Sequence, residues 1–150
     1  MKNDYYYIAI EDLKYLQATL DLPYYNNISI AAQQITEKML KSVAERVSTN
    51  CEPLLRSHNL RALYDLVYSQ YPVMSLNRGD LSMLKDYYFD AKYPGDNFVT
   101  VTKAECIQCL DIMYGAVDFV HAVRRQLGLD CEKVDKKLPG NSGGTLSITS

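Results

Sequence analysis

Apolar residues recur along this chain at intervals of three and four, the spacing that collects them on one face of an α-helix. The clearest stripe is Ile28, Ala32, Ile35, Met39, Val43 and Val47. It predicts a helix that starts after Asn27, whose side-chain oxygen suits an N-terminal cap. An earlier segment, from about Tyr5 to Leu20, sets Ile8, Ala9, Leu13, Leu16 and Leu20 on one face and is ended by Leu22-Pro23. A third begins near Ser57, turns Leu60, Leu63, Tyr64 and Val67 inward, and closes at Pro72. The fourth runs from about Asp80 to Ala91, with Leu81, Leu84, Tyr87, Tyr88 and Ala91 toward the core, and is cut off by Pro94 and Gly95. The fifth has the strongest start signal, Thr102 followed by Glu105 as a capping box. Ile107, Leu110, Met113 or Tyr114, Val117, Val120, Val123 and Leu127 extend it to Gly128.

Short links between such helices favour antiparallel neighbours, so the expected fold is all-α: an up-and-down antiparallel bundle of about five helices over residues 1–130. Residues 131–150, rich in Lys, Gly and Ser, offer little apolar surface and are expected to form a flexible polar tail. A chain of 150 residues fits one domain and buries roughly 68–70% of its unfolded surface without needing a metal or disulfide. The formal net charge of -2 excludes a global attraction for nucleic acid, so any such contact must come from a local basic patch. Cys51, Cys106, Cys109 and Cys131 follow no secretory leader, which predicts reduced thiols and a cytoplasmic setting. No apolar run approaches the roughly 18 residues that cross a bilayer, so no membrane partner is expected.

Candidate chemistry gathers at a few places. Gln34 and Lys38, four apart beside the apolar stripe, offer amide and ammonium donors to a phosphate, although the same pattern fits a solvated helix face. Gln33, Glu37 and Lys41 form the next row, where Glu37 and Lys41 are spaced for an outer-face ion pair worth ~0.2–0.5 kcal/mol. Arg56, Ser57 and His58 stand at the predicted start of the third helix, where free amides attract anions. Asp86 and Asp90 repel at a spacing of four and call for a basic neighbour such as Lys38, Lys41, Arg56 or Arg61. Lys92 and Tyr93 add a cation and a stacking face at the rim of the fourth helix. His121 lies within an apolar run, as a packed or partnered histidine does, and Cys106-x-x-Cys109 lacks the second ligand pair of a zinc site and reads as free thiols. Two histidines, without a Ser-His-Asp order or a glycine-rich phosphate loop, exclude most histidine-based catalysis, and no metal or cofactor is expected.

Three ordered motifs, Ala31-Ala32-Gln33-Gln34-x-x-Glu37-Lys38-x-x-Lys41, Ser57-His58-Asn59-Leu60 and Tyr87-Tyr88-x-x-Ala91-Lys92-Tyr93-Pro94, together resemble the HEPN domain family over about residues 4–127. The resemblance implies a helical bundle that commonly forms homodimers. Many bacterial members accompany a small nucleotidyltransferase in a toxin–antitoxin-like pair, and others are ribonucleases with Arg, four to six residues, then His. That interval is missing here: the nearest upstream arginines are Arg56 and Arg46 for His58, and Arg78 for His121. Lys92 stands where the family's Arg-Tyr-Pro has arginine, which keeps the charge and loses the planar fork. The expectation is therefore binding before catalysis, with Gln34, Lys38, His58, Lys92 and Tyr93 holding a nucleotide or nucleic-acid phosphate. A ribonuclease toxin with a divergent site and a purely structural interaction module are the alternatives.

Overall fold

In the structure, a computed structural model, the described residues are 4–50, 52–95 and 98–140, and they form six helices and no strand. These are α1 (Tyr5–Ala18), α2 (Tyr25–Val47), α3 (Glu52–Leu55), α4 (Leu60–Gln70), α5 (Arg78–Lys92) and α6 (Lys103–Gln126). The five long helices are those the apolar spacing predicts, and α3 is a single added turn. The protein is an all-α helical bundle. Cys51 and Asp96 lie outside the described residues, as does the end of the polar tail, residues 141–150.

Helix α2 is the axis of the bundle and touches every other helix. Encirclement explains its composition: besides the apolar stripe it buries Ser29, Gln33, Thr36, Lys41 and Ser42, so polar positions become interior too. The pair Glu37–Lys41 forms at 2.8 Å, but it does not face outward as the spacing suggested; the side chains are only 12% and 8% exposed. In α1 the buried residues are Tyr6, Ala9, Ile10, Leu13 and Leu16, while Ile8, expected inside, is 39% exposed.

Several helix ends differ from the sequence expectation. Helix α2 begins three residues early, at Tyr25, and Asn27 does not cap it. Its neighbour Asn26 clamps the chain after α5, donating through Nδ2 to the carbonyls of Ala91 (3.1 Å) and Val99 (2.8 Å) and accepting from the Val101 amide (2.7 Å). Helix α4 begins at Leu60 and is capped by Asn59, whose Oδ1 accepts from the Ala62 amide at 3.1 Å. Ser57 instead closes the turn before it, donating to the Leu54 carbonyl. The capping box of α6 forms as read, with Thr102 and Glu105 satisfying each other's amides. At its far end Gly128 takes φ 73°, and the Leu129 amide returns to the Arg124 carbonyl at 2.8 Å, a Schellman closure.

Helix α6 is long and apolar enough to cross a membrane by length and composition alone, more so than the sequence reading allowed. Most of that stretch is buried in the bundle, which is the environment of a core helix. Beyond it, residues 131–140 do not hang free as a polar tail was expected to. They return as an extended strap: the Gln17 amide donates to the Asp135 carbonyl at 2.6 Å, and the Tyr114 hydroxyl donates to the Lys137 carbonyl at 2.6 Å. Val134 and Leu138 rest against the core, and Lys136 pairs with Asp118 at 2.6 Å. Backbone hydrogen bonds and two apolar anchors hold a segment that composition alone assigns to solvent.

Candidate functional site

Three stretches distant in sequence meet where α2 runs beside α5 and the loop before α4. From α2 comes the i, i+4 row Gln33, Glu37 and Lys41, which shares one face because four residues make little more than a helical turn. The Glu37 carboxylate is its hub. Its Oε1 accepts from Gln33 Nε2 at 3.1 Å and lies 2.8 Å from His58 Nδ1, while its Oε2 accepts from Lys41 Nζ at 2.8 Å. Burial alone pushes the Glu37 carboxyl up, but the hydrogen bonds from Lys41, His58 and Gln33 outweigh it and hold the group below the usual carboxylate range. A carboxylate only accepts, so Nδ1 of His58 carries the hydrogen and the ring is held in one orientation. Gln33 is fully buried, and its Oε1 has no hydrogen-bond partner among the described residues.

Helix α5 supplies the aromatic and cationic side. The Tyr88 ring lies 6.0 Å from the His58 ring, tilted by 32°. One turn on, Lys92 donates to the Tyr88 hydroxyl at 2.9 Å, with its Nζ 4.9 Å from the Tyr88 ring and 5.5 Å from the Tyr93 ring. The hydrogen bond to Tyr88 leads the causes that hold the Lys92 pKa above its ordinary value, so the rim carries a full positive charge. Tyr93 is 51% exposed, at the mouth of the cluster. Behind it, Tyr87 donates to Glu105 Oε2 at 2.8 Å, tying α5 to the capping box of α6. Burial and then that bond push the Tyr87 hydroxyl up to about 12.

Of the five residues expected to hold a ligand, the structure brings His58, Lys92 and Tyr93 together around Tyr88. Gln34 is exposed and Lys38 pairs with Asp12 of α1 at 2.5 Å, so that row belongs to the α1 side of α2. The chemistry sits one residue earlier, on Gln33, Glu37 and Lys41. The like-charged spacing of Asp86 and Asp90 is not answered by a basic partner: neither has an ion pair among the described residues. Nor do Arg56, Ser57 and His58 form a joint anion site, since Arg56 pairs with Glu52 in α3 and the turn uses the Ser57 hydroxyl. Tyr88 and Asn26 were missed as site residues. Tyr88 read as core, which it is at 7% exposure, and no local signal marks Asn26.

The remaining candidates are structural. His121 is 8% exposed, and its Nε2 lies 2.9 Å from the Tyr6 hydroxyl, which accepts from the Glu132 amide at 2.7 Å. Burial, then the charges of Arg125 and Arg124, push the His121 pKa down against the pull of Asp118. The Arg124 guanidinium stacks 3.6 Å from the centre of the Tyr6 ring, and its Nε donates to the Asp130 carbonyl. Cys106 and Cys109 are buried free thiols, pushed up to about 11 by burial and thus inert as nucleophiles at neutral pH. Among the described residues no group of three His, Cys, Asp or Glu side chains is placed to hold a metal. An apolar groove of about 250 Å³ between α1 and α2, lined by Tyr15, Leu22, Tyr24 and Ile28, contains no charged side chain and does not suit a phosphate.

Comparison with known protein families matches residues 3–126 to the HEPN domain. No curated protein and no solved structure matches the chain significantly.

Proposed function

The chain belongs to the HEPN domain family, whose functions are nucleotide- or RNA-related, and from that premise we propose that it binds a nucleotide or nucleic-acid phosphate at the α2–α5 cluster. One observation carries the reading: the Lys92 ammonium is held 5.5 Å from the ring of Tyr93, which is 51% exposed, at a rim shared with His58. An ammonium next to an exposed ring suits a phosphate followed by a base, because the charge takes the anion and the ring takes the π-face. His58, oriented by Glu37, adds a directed hydrogen bond, while Tyr88 and Lys41 keep the geometry from inside. Gln34 and Lys38 stand outside this set.

The protein is then an accessory binding protein of the cytoplasm, working as a homodimer beside a small nucleotidyltransferase in a toxin–antitoxin-like pair; family membership is the support for the dimer and the partner, and the free thiols are the support for the setting. Isothermal titration with ATP, GTP and short RNA tests the binding. Heat with at least one ligand, lost in Lys92→Ala, is expected, whereas a folded sample that takes up none of them ends the reading. Co-purification with a nucleotidyltransferase encoded next to it, and the mass in solution, test the partner and the dimer.

Cleavage of RNA is the second reading, and one observation favours it. The Glu37–His58 hydrogen bond presents an oriented imidazole, as general acid–base chemistry requires. RNA degraded by the wild type and spared by His58→Ala supports cleavage; RNA intact after long incubation removes it.

A further inference from the structure

South of His58, where α4 lies against α5, a second cleft of about 350 Å³ is lined by Asn59, Arg61, Asp65, Arg78, Ser82 and Lys85. Its charge is unbalanced. Asp65 takes Arg78 at 2.7 Å, which leaves Arg61 and Lys85 with no ion pair among the described residues. Arg61 reaches across to the Ser82 hydroxyl at 3.4 Å, so both cations border the same opening. In a protein of formal net charge -2 this is a local excess that the bulk composition hides.

The cleft is continuous with the cluster already described. On α5, Ser82, Lys85, Tyr88 and Lys92 follow at intervals of three and four and share one face. Across from them His58 stands beside Tyr88 and, three residues on, Arg61 beside Ser82. From Ser82 to Lys92 the helix rises ~15 Å, at about 1.5 Å per residue. A stacked strand advances roughly 3.4 Å per nucleotide, so this face spans on the order of four nucleotides. Asp86 lies about 40° and Asp90 about 80° round the helix from Ser82, the nearest of these positions, and neither lines the cleft.

We propose that the α4–α5 cleft is a phosphate-backbone subsite, in which Arg61 and Lys85 extend the Lys92–Tyr93 rim into a track for a single-stranded polynucleotide of four or more residues. It rests on the reading that the rim binds a nucleotide phosphate, and it replaces a mononucleotide with a chain as the preferred ligand. Arg61 contributes a fork for one phosphate, Lys85 a point charge for the next, and Tyr93 a stacking face at the far end.

The test is fluorescence anisotropy with labelled RNA of two and of eight nucleotides across a salt series, alongside titration of the wild type with ATP. The octamer is expected to bind at least tenfold tighter than the dinucleotide at low salt. In the double variant Arg61→Ala, Lys85→Ala the octamer should lose that advantage, and the slope of log affinity against log salt should become shallower by about 1.4, two contacts at roughly 0.7 each. A control double variant of equal charge change on α1 and α6, Lys14→Ala with Arg125→Ala, should keep the wild-type slope. The proposal is overturned by an octamer no tighter than the dinucleotide, by a cleft variant that binds like the wild type, or by a control variant that falls equally. It is overturned also by an inorganic polyphosphate that displaces the octamer equally from wild type and Tyr93→Ala, since a bare polyanion site has no use for the ring. If ATP binds and the octamer gains nothing, only the track fails; if neither binds a folded sample, the reading of the rim fails with it.

Discussion

The two histidines of this protein sit in opposite environments. His58 is exposed at the side chain, its Nδ1 held by a carboxylate, and around it lie an ammonium and a half-exposed aromatic ring. His121 is buried, its Nε2 capped by a tyrosine hydroxyl, with two arginines nearby and the C-terminal strap closing over it. Both clusters use the same side-chain types: a histidine, tyrosines and a cation. What differs is where the hydrogen bonds end. Around His121 they end on the protein's own backbone, at Glu132 and Asp130, so the cluster fastens the strap to α1 and α6. Around His58 they end at a rim that faces solvent. One arrangement turns its polar groups inward to the fold, and the other sets them at the surface.

Truncation should separate the two most sharply. Tyr6 is fully buried and joins α1, α6 and the strap, so Tyr6→Ala should cost roughly 3–5 kcal/mol of stability, read by urea denaturation. Near-wild-type stability would mean that the strap is only loosely held. Glu37→Gln probes the point at which the two clusters cease to be distinct, because it removes the counter-charge of a Lys41 that is only 8% exposed. A loss of about 3 kcal/mol is expected, together with weaker ligand binding as His58 loses its anchor. Unchanged binding in the folded variant would make Glu37 a purely structural hub.

Acid should reach the clusters in order. The His121 pKa is lowered on folding, so its contribution is complete above the ordinary value of 6.5 and is lost as the pH falls through the lower folded value. The Glu37 contribution is complete above its ordinary value of 4.5 and fades only at lower pH still. Thermal melts between pH 7.5 and 5 should therefore show a decline in the wild type that flattens in His121→Gln. A variant with the same decline would place the acid sensitivity elsewhere. The smallest effect on folding belongs to Lys92→Ala, which should leave the melting midpoint unchanged while weakening phosphate binding severalfold, as measured by calorimetry.

The off-by-one row on α2 shows why the site was only half legible. An amphipathic stripe marks the side of a helix that one neighbour covers, and the remaining positions then read as solvent. Helix α2 has neighbours on most sides, so that rule fails, and Glu37–Lys41 turns inward while Gln34 and Lys38 take the outer role. That His58, Lys92 and Tyr93 lie near one another at a rim has a different reason: each stands at a helix end, beside a helix start or a proline, where side chains reach the surface whatever the packing. Tyr88 was read correctly as core, yet it is also the surface on which Lys92 and His58 rest. Burial and function coincide there, and a pattern of apolar positions reports only burial.

What the sequence determined by itself is the set of long helices, the capping box at Thr102 and Glu105, the stop at Gly128 and the family, all of which depend on local spacing. The tertiary structure alone decided which polar row meets His58, that Asn26 clamps the end of α5, that Arg61 and Lys85 share a cleft, and that residues 131–140 return to the bundle. The physical reason is the range of the interactions. Helix periods and caps act over three or four residues and are written in neighbouring letters. A buried ion pair, a clamp across 65 residues or a strap fastened by backbone hydrogen bonds depends on which surfaces meet, and only the folded chain sets that.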